Sequence, residues 1–340
     1  MHLKQVSNNK VHLSAVARSR RTAIALMVAV ATLMGCAPVH AQDQRWPTKG
    51  IRIVVPYGAG GGLDRSARLL AQRLSSVFNQ TVIVENKPGG NTKIAAEFVA
   101  KSEADGHTLL LVAPAILTVN PNLYPSMSYK VEDLAPISMI GRIPLFVITA
   151  AEGGAKSFTE LLDKGRKEGL NYGSAGTGAM THLGVEFIKL QTNTRMTHIP
   201  YKGTASMLPD VVSGRVDFAL SDMAPIKGLL DGGRLKILGS AAASSSGLYP
   251  SAPGMMDLGV KGVDVATWVG VAAPSGTRAE VQNRLSNEIN TLLADSAFQK
   301  ELLAAGVETT PMTQAAFKQM VIDERAKWGI VIKTGNIVGE

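Results

Sequence analysis

The sequence predicts an α/β fold built from strand–loop–helix units, and three observations carry that prediction. Apolar strand candidates alternate with helical stretches along residues 51–328, a pattern that argues for parallel sheets with helices on both faces. Three times a strand runs into a Gly-rich loop and then a helix, over residues 51–68, 82–97 and 170–187. Once a targeting segment is set aside, about 300 residues remain, enough for two α/β domains or one large one.

The chain begins with a secretion signal in form. A basic stretch ends at Arg20-Arg21, and an apolar core follows over residues 23–33, too short to span a bilayer comfortably. Two cleavage sites compete. Val39-His40-Ala41 is a small-x-small signal that makes residues 1–41 a signal peptide, whereas Leu33-Met34-Gly35-Cys36 has the form of a lipobox that would lipidate Cys36. Ser19-Arg20-Arg21 has part of a twin-arginine pattern, from which Ala23 and Ala25 depart. Export is expected in every case. Cys36 is the only cysteine, so no internal disulfide is available.

Strands are expected at 51–55, 81–84, 108–112, 146–149, 171–172, 216–220, 235–239 and 268–273. After the first loop Leu63, Ala67, Leu70, Ala71, Leu74 and Val77 share one helix face, and after the third Met180, Leu183, Gly184, Phe187 and Ile188 do the same. Ser157-x-x-Glu160 and Thr277-x-x-Glu280 read as capping boxes that open helices. The second of these helices turns Val281, Leu285, Ile289 and Leu292 inward. Gly306 stops the next helix, Thr313 starts the last, and the run of small residues at 241–246 reads as a loop. Two apolar stretches, 143–150 and 263–273, are candidates for paired crossover strands to a second domain and back, which periodicity alone does not decide.

Composition narrows the function. The formal charge of +8 is concentrated in the leader: residues 1–41 hold Lys4, Lys10, Arg18, Arg20 and Arg21 and no acid, leaving 30 basic and 27 acidic residues elsewhere, a net of +3. No later basic run with interleaved aromatics supports a nucleic-acid partner. Gly58-x-Gly60 lacks the third glycine of a dinucleotide fingerprint, because Leu63 stands there, and Gly61-Gly62-Leu63 is not a P-loop. There is no GxSxG elbow and no HExxH. Only His107, His182 and His198 follow the leader, so neither a metal site nor a cofactor is expected. His182 reads as a structural hydrogen-bonding histidine. Asp64 either complements a helix dipole or forms one wall of a cleft. Each Gly-rich loop leaves backbone accessible at a helix start, where N–H groups and the dipole suit an anion. An anion site without a nucleophile, metal or phosphate lysine reads as a receptor.

These residues resemble a family. VPYGAGGGLD (55–64), VENKPGG (84–90), ADGHTLLL (104–111) and YGSAGTGAMTHLGVEF (172–187) occur in order. HIPYKGTASMLPDVVSGRVDF (198–218), GRLKIL (233–238), WVGVAAPSGT (268–277) and Lys327-Trp328 follow them. Over residues 46–337 the chain is similar to the periplasmic Bug-type receptors of tripartite tricarboxylate transporters. That resemblance implies a two-lobed, type II periplasmic-binding-protein-like α/β architecture with two crossover strands and a ligand cleft between the lobes. The expected lobes are residues 42–148 with 263–340, and residues 149–262. It also implies a periplasmic monomer that holds a small carboxylate through backbone amides, hydroxyls and waters and serves membrane permease subunits.

Carried onto this chain, the family's contacts fall on Tyr57, Gly58, Ala59 and Asp64 in the first loop, and on Pro88, Gly89 and Gly90 in the second. In the other lobe they fall on Ser174, Ala175, Gly176, Thr177 and Gly178, with Tyr201 and Lys202 near the cleft. Pro200–Gly203 reads equally as a structural turn. Departures from the family lie where the far end of a ligand would sit. Asn91 and Thr92 replace glycines and Lys93 adds a cation, while Ser221 and Asp222 stand where a single Asp is usual. The expected function is capture of a di-, tri- or aromatic carboxylate by lobe closure and its delivery to a permease. The alternatives are a ligand-sensing subunit for a membrane signalling protein and an exported α/β hydrolase.

Overall fold

The protein is described by a computed structural model over residues 46–339. The expected signal peptide, both cleavage sites and Cys36 lie outside the described residues. Short β-rich runs such as IRIVV pair into two sheets within the unit that starts at Pro47. The first holds β1 (Ile51–Val55), β2 (Val82–Asn86), β3 (Thr108–Val112), β4 (Leu134–Pro144), β10 (Ala266–Pro274) and β11 (Glu308–Thr309), in the order β11-β4-β10-β3-β1-β2. The second holds β5 (Phe146–Ala150), β6 (Leu170–Ser174), β7 (Met196–Pro200), β8 (Phe218–Ser221) and β9 (Leu235–Ser240), in the order β7-β6-β8-β5-β9. The chain passes from the first sheet to the second across Leu145 and returns to the first at Ala266.

The expectation of parallel sheets holds for two of the five pairings in the first sheet, where β11 is also antiparallel to β4, and for two of the four in the second. The pairs β1/β2, β1/β3, β6/β7 and β6/β8 are parallel, but β10 runs antiparallel to β3 and β4, and β5 runs antiparallel to β8 and β9. Direct passage at Leu145, with no helix between β4 and β5, brings β5 into the second sheet without a right-handed crossover. β4 was not expected because Pro136, Gly141 and Pro144 interrupt its pattern. It forms because β10 and β11 pair it from both sides, with Gly141 against the Glu308 backbone where a Cβ would collide. The short β7 and β11 were likewise not expected.

Helices α1 (Gly62–Phe78), α2 (Lys93–Ala100), α3 (Asn120–Leu123), α4 (Phe158–Lys167), α5 (Met180–Thr192), α6 (Thr204–Val212), α7 (Met223–Asp231), α8 (Ala279–Ala294), α9 (Ser296–Ala304) and α10 (Gln314–Thr334) cover the sheets. Ser157 caps α4 by accepting from the Glu160 amide, and Thr313 caps α10 through Ala316. The expected box at Thr277 does not form. There α8 starts after Arg278, and the Thr277 hydroxyl is buried without a hydrogen-bond partner. The last helix spans both cores: Phe317 and Val321 pack with Trp268 and Val54, while Trp328 and Val331 pack with Leu183 and Val265. No described helix is long and apolar enough to cross a membrane.

Candidate functional site

The first loop is organised by Asp64. Its carboxylate is buried two residues into α1, where Oδ2 accepts from the Gly60 amide at 2.9 Å and from Arg68 Nε at 3.0 Å. Oδ1 accepts from Asn86 Nδ2 at 2.9 Å, and the same amide donates to the Tyr57 carbonyl at 3.0 Å. Burial pushes the Asp64 carboxyl up, but the Arg68, Gly60 and Asn86 hydrogen bonds outweigh it and hold it below its ordinary value. Tyr57 is half-buried, and burial pushes its phenol up to about 12, so the hydroxyl remains a neutral donor. Gly58 and Ala59 are exposed. A cavity of about 240 Å³ opens here, with Tyr57, Leu63 and Asp64 on one side and Asp222, Met223 and Ala224 on the other.

The second loop turns through left-handed backbone: Gly89, Gly90, Asn91 and Thr92 have φ of 120°, 57°, 49° and 70°. Pro88, Gly89, Gly90 and Asn91 are exposed, whereas Thr92 is buried. Asn120, at the start of α3, donates to the Asn91 carbonyl at 2.8 Å and to Thr92 Oγ1 at 3.3 Å. Lys93 opens α2 with its ammonium 3.7 Å from the centre of the Tyr124 ring.

In the third loop the amides expected to await a carboxylate are largely paired within the loop. Ala175 donates to Thr181 Oγ1 at 3.0 Å, Gly176 to Ser174 Oγ at 3.1 Å and Gly178 to His182 Nδ1 at 3.1 Å. Ser174 Oγ in turn lies 2.6 Å from His198 Nε2. The His182 and His198 rings stack with centroids 3.7 Å apart, and His198 stacks on Tyr172. Burial, followed by the His198 and Lys189 charges, lowers His182 to about 3, so it stays neutral and accepts from Gly178. His182 is thus a structural histidine. Tyr201 backs the loop: its amide donates to the Ser174 carbonyl and its hydroxyl to Asp210 at 2.7 Å. Thr177 is half-buried, and Lys202 is exposed.

The second and third loops meet around α3. Asn120 grips the second loop, and a Cβ on Gly178 of the third would collide with Leu123. Tyr129, beside Asn120, donates to the Ile116 carbonyl at 2.7 Å; burial, opposed by Asn120 and helped by the neighbouring Tyr57, pushes its phenol up. Ser221 is buried and donates to the Asp222 carbonyl at 2.9 Å, while Asp222 caps α7 through Ala224. Burial raises the Asp222 carboxyl despite that amide and Arg65. Sequence reasoning missed Asn86, Asn120, Tyr124 and His198 as parts of this site. The Asn120-Pro121 turn signal marked the second of these; the others carry no local signal. A wider groove of about 810 Å³ between α6 and α7 is lined by none of the three loops.

The family sequence profile described as "Tripartite tricarboxylate transporter family receptor" matches residues 66–337. The chain belongs to that receptor family. It is 33% identical over 311 residues to protein BugT of Bordetella pertussis, covering 90% of this chain and 95% of BugT. Among solved structures, an R. palustris protein with adipate shares 32% identity at a TM-score of 0.75, over 86% of this chain and 99% of that one. The periplasmic binding protein BugD shares 27% at 0.71, over 87% and 100%. The family and fold are those of Bug-type solute-binding proteins rather than enzymes.

Proposed function

We propose that this protein is an exported receptor that captures a small carboxylate between two lobes and presents it to the permease subunits of a tripartite transporter. The lobe boundaries, expected at 148/149 and 262/263, are better drawn where the chain changes sheets, at Leu145 and just before Ala266. The observation that carries the reading is the meeting of the second and third loops around α3, together with the cavity that sets Tyr57 and Asp64 of the first loop against Asp222 and Ala224. Adipate in the R. palustris relative supports a carboxylate as the ligand class.

The internal pairing of the third-loop amides refines the mechanism. Ser174 Oγ accepts from the Gly176 amide, donates to the Gly176 carbonyl at 3.2 Å and lies 2.6 Å from His198 Nε2, so its proton is engaged within the loop, whereas the Thr181 hydroxyl, accepting from the Ala175 amide, keeps its proton for another acceptor. A carboxylate is then met by the Thr181 hydroxyl, the Tyr57 phenol and bridging waters. Closure is favoured by whatever contacts the ligand makes only in the closed form. Thermal-shift screening of mono-, di-, tri- and aromatic carboxylates tests the class, since a ligand of the native state raises stability by RT ln(1 + [L]/Kd). A stabilising carboxylate is the expected result; stabilisation only by uncharged or cationic solutes contradicts it.

A further inference from the structure

The second loop carries a backbone conformation that glycine does not explain. Among the described residues, the non-glycines with positive φ are Asn79, Asn91, Asn193 and Asn336, all asparagines, and Thr92. A β-branched residue enters that region only where its surroundings hold it there, and such outliers cluster at ligand clamps and switches.

What holds Thr92 is identifiable. Asn120 is fully buried, and it donates to the Asn91 carbonyl and the Thr92 hydroxyl while its own oxygen accepts from Asn91 Nδ2 at 3.1 Å. Asn91 Nδ2 also donates to the Tyr124 hydroxyl at 3.1 Å. The pinned turn thereby fixes where Lys93 begins its helix, with the ammonium 3.7 Å above the Tyr124 ring. Among the described residues, no carboxylate lies within 4.0 Å of that ammonium, and no hydrogen bond is made by it. A π face satisfies charge only partly and leaves the three ammonium donors available to solvent or to a ligand. Tyr124 directly follows Leu123, whose side chain lies against Gly178 of the third loop. The ring under the cation and the side chain against the loop proposed to take the first carboxylate thus belong to consecutive residues, Tyr124 and Leu123.

We infer that Lys93 determines specificity for a second anionic group, so that the protein selects dicarboxylates over monocarboxylates. A ligand anchored at the third loop draws the ammonium from the Tyr124 face onto its remote carboxylate; a monocarboxylate leaves it there. The inference rests on the reading of the loops as a carboxylate site and goes beyond it by naming the ligand class and the residue that chooses it. The Asn120 hydrogen bonds that hold the strained Thr92 also fix the backbone position from which Lys93 reaches the Tyr124 ring.

The test uses the linear diacids from succinate to adipate, each paired with its monoacid of equal chain length, titrated calorimetrically at one ionic strength. Wild-type protein should prefer the best diacid over its monoacid by about ten- to a hundredfold, the range for a charge-assisted hydrogen bond. Lys93→Met should erase most of that preference with monoacid affinity within about twofold of wild type, and Lys93→Arg should keep most of it. Lys93 is half-buried with a single ring contact, so melting curves of both variants should match wild type. A ratio unchanged in Lys93→Met, or no preference in the wild type, overturns the inference while leaving the carboxylate site standing. No binding by any acid of the series overturns the inference, and stabilisation by no carboxylate of any class in the thermal-shift screen overturns both.

Discussion

Asp64→Asn removes one charge and almost no volume at the point where the first loop is tied together. Oδ2 accepts two donors, Gly60 N and Arg68 Nε, whereas Oδ1 accepts one, Asn86 Nδ2. The amide therefore keeps its oxygen at the Oδ2 site and sets its NH₂ against Asn86 Nδ2, donor against donor. Asn86 cannot flip to relieve this without giving up its bonds to the Tyr57 carbonyl and from Arg68 Nη2. One hydrogen bond to a charged acceptor is lost, at about 1.5–3 kcal/mol, and the Gly60 bond falls from the charged to the neutral range, about 1 kcal/mol. Arg68 is half exposed, so its share is about 0–1 kcal/mol. The expected loss is about 2.5–5 kcal/mol at pH 7, read by urea unfolding. Because the folded carboxyl lies below its ordinary value of 3.8, the contribution is fully present above that value and disappears as pH falls through the folded one. Wild type and variant should therefore converge below about pH 3.8. A loss under about 0.5 kcal/mol, against the range for a charged hydrogen bond, or a difference unchanged down to the acid transition, refutes this account of the loop.

Gly178→Ala should cost about 2–4 kcal/mol in urea unfolding, from left-handed strain together with displacement of Leu123, whereas Gly203→Ala, at φ 95° with open space around it, should cost only the strain, about 1–2 kcal/mol; equal costs would remove Leu123 from the packing argument. His182, lowered to about 3, should show no imidazole titration by NMR between pH 8 and 5. Since the unfolded ring takes up a proton near its ordinary 6.5 and the folded ring does not, stability should fall below that pH at about 1.4 kcal/mol per unit for this group, and an NMR midpoint near 6.5 would contradict its burial.

Legibility in the sequence followed the range of the interaction. The run IRIVV marks β1 without outside help, and the turn from it into α1 is written in consecutive glycines. β4 was hidden because its prolines and Gly141 are tolerated only through pairing with β10 and β11, more than 120 residues downstream. Thr277 carried a correct local capping pattern, but the backbone turn onto Pro274 buried it one residue too early. At the candidate site the sequence marked the loops, and it flagged Asn91 and Thr92 as side chains where the family has glycine. It did not reveal that their backbone stays left-handed, because the Asn120 that holds it lies 29 residues away. The inward pairing of the third loop was hidden for the same reason. Thr181 and His182 sit on the following helix, and the Ser174–His198 contact joins neighbouring strands.

The central claim is that the third loop receives a ligand carboxylate. Gly176 is the position to alter, because at φ 131° only glycine sits easily, and a Cβ there meets nothing nearer than the Tyr201 carbonyl at 3.4 Å. Gly176→Val thus restricts the loop and fills its mouth without striking the core. Calorimetric titration of adipate, and of whichever carboxylate stabilises the wild type most, should show a clear isotherm for wild type and none for Gly176→Val, with the circular dichroism of the two unchanged. Undiminished carboxylate affinity in Gly176→Val would contradict the claim and move the site away from this loop.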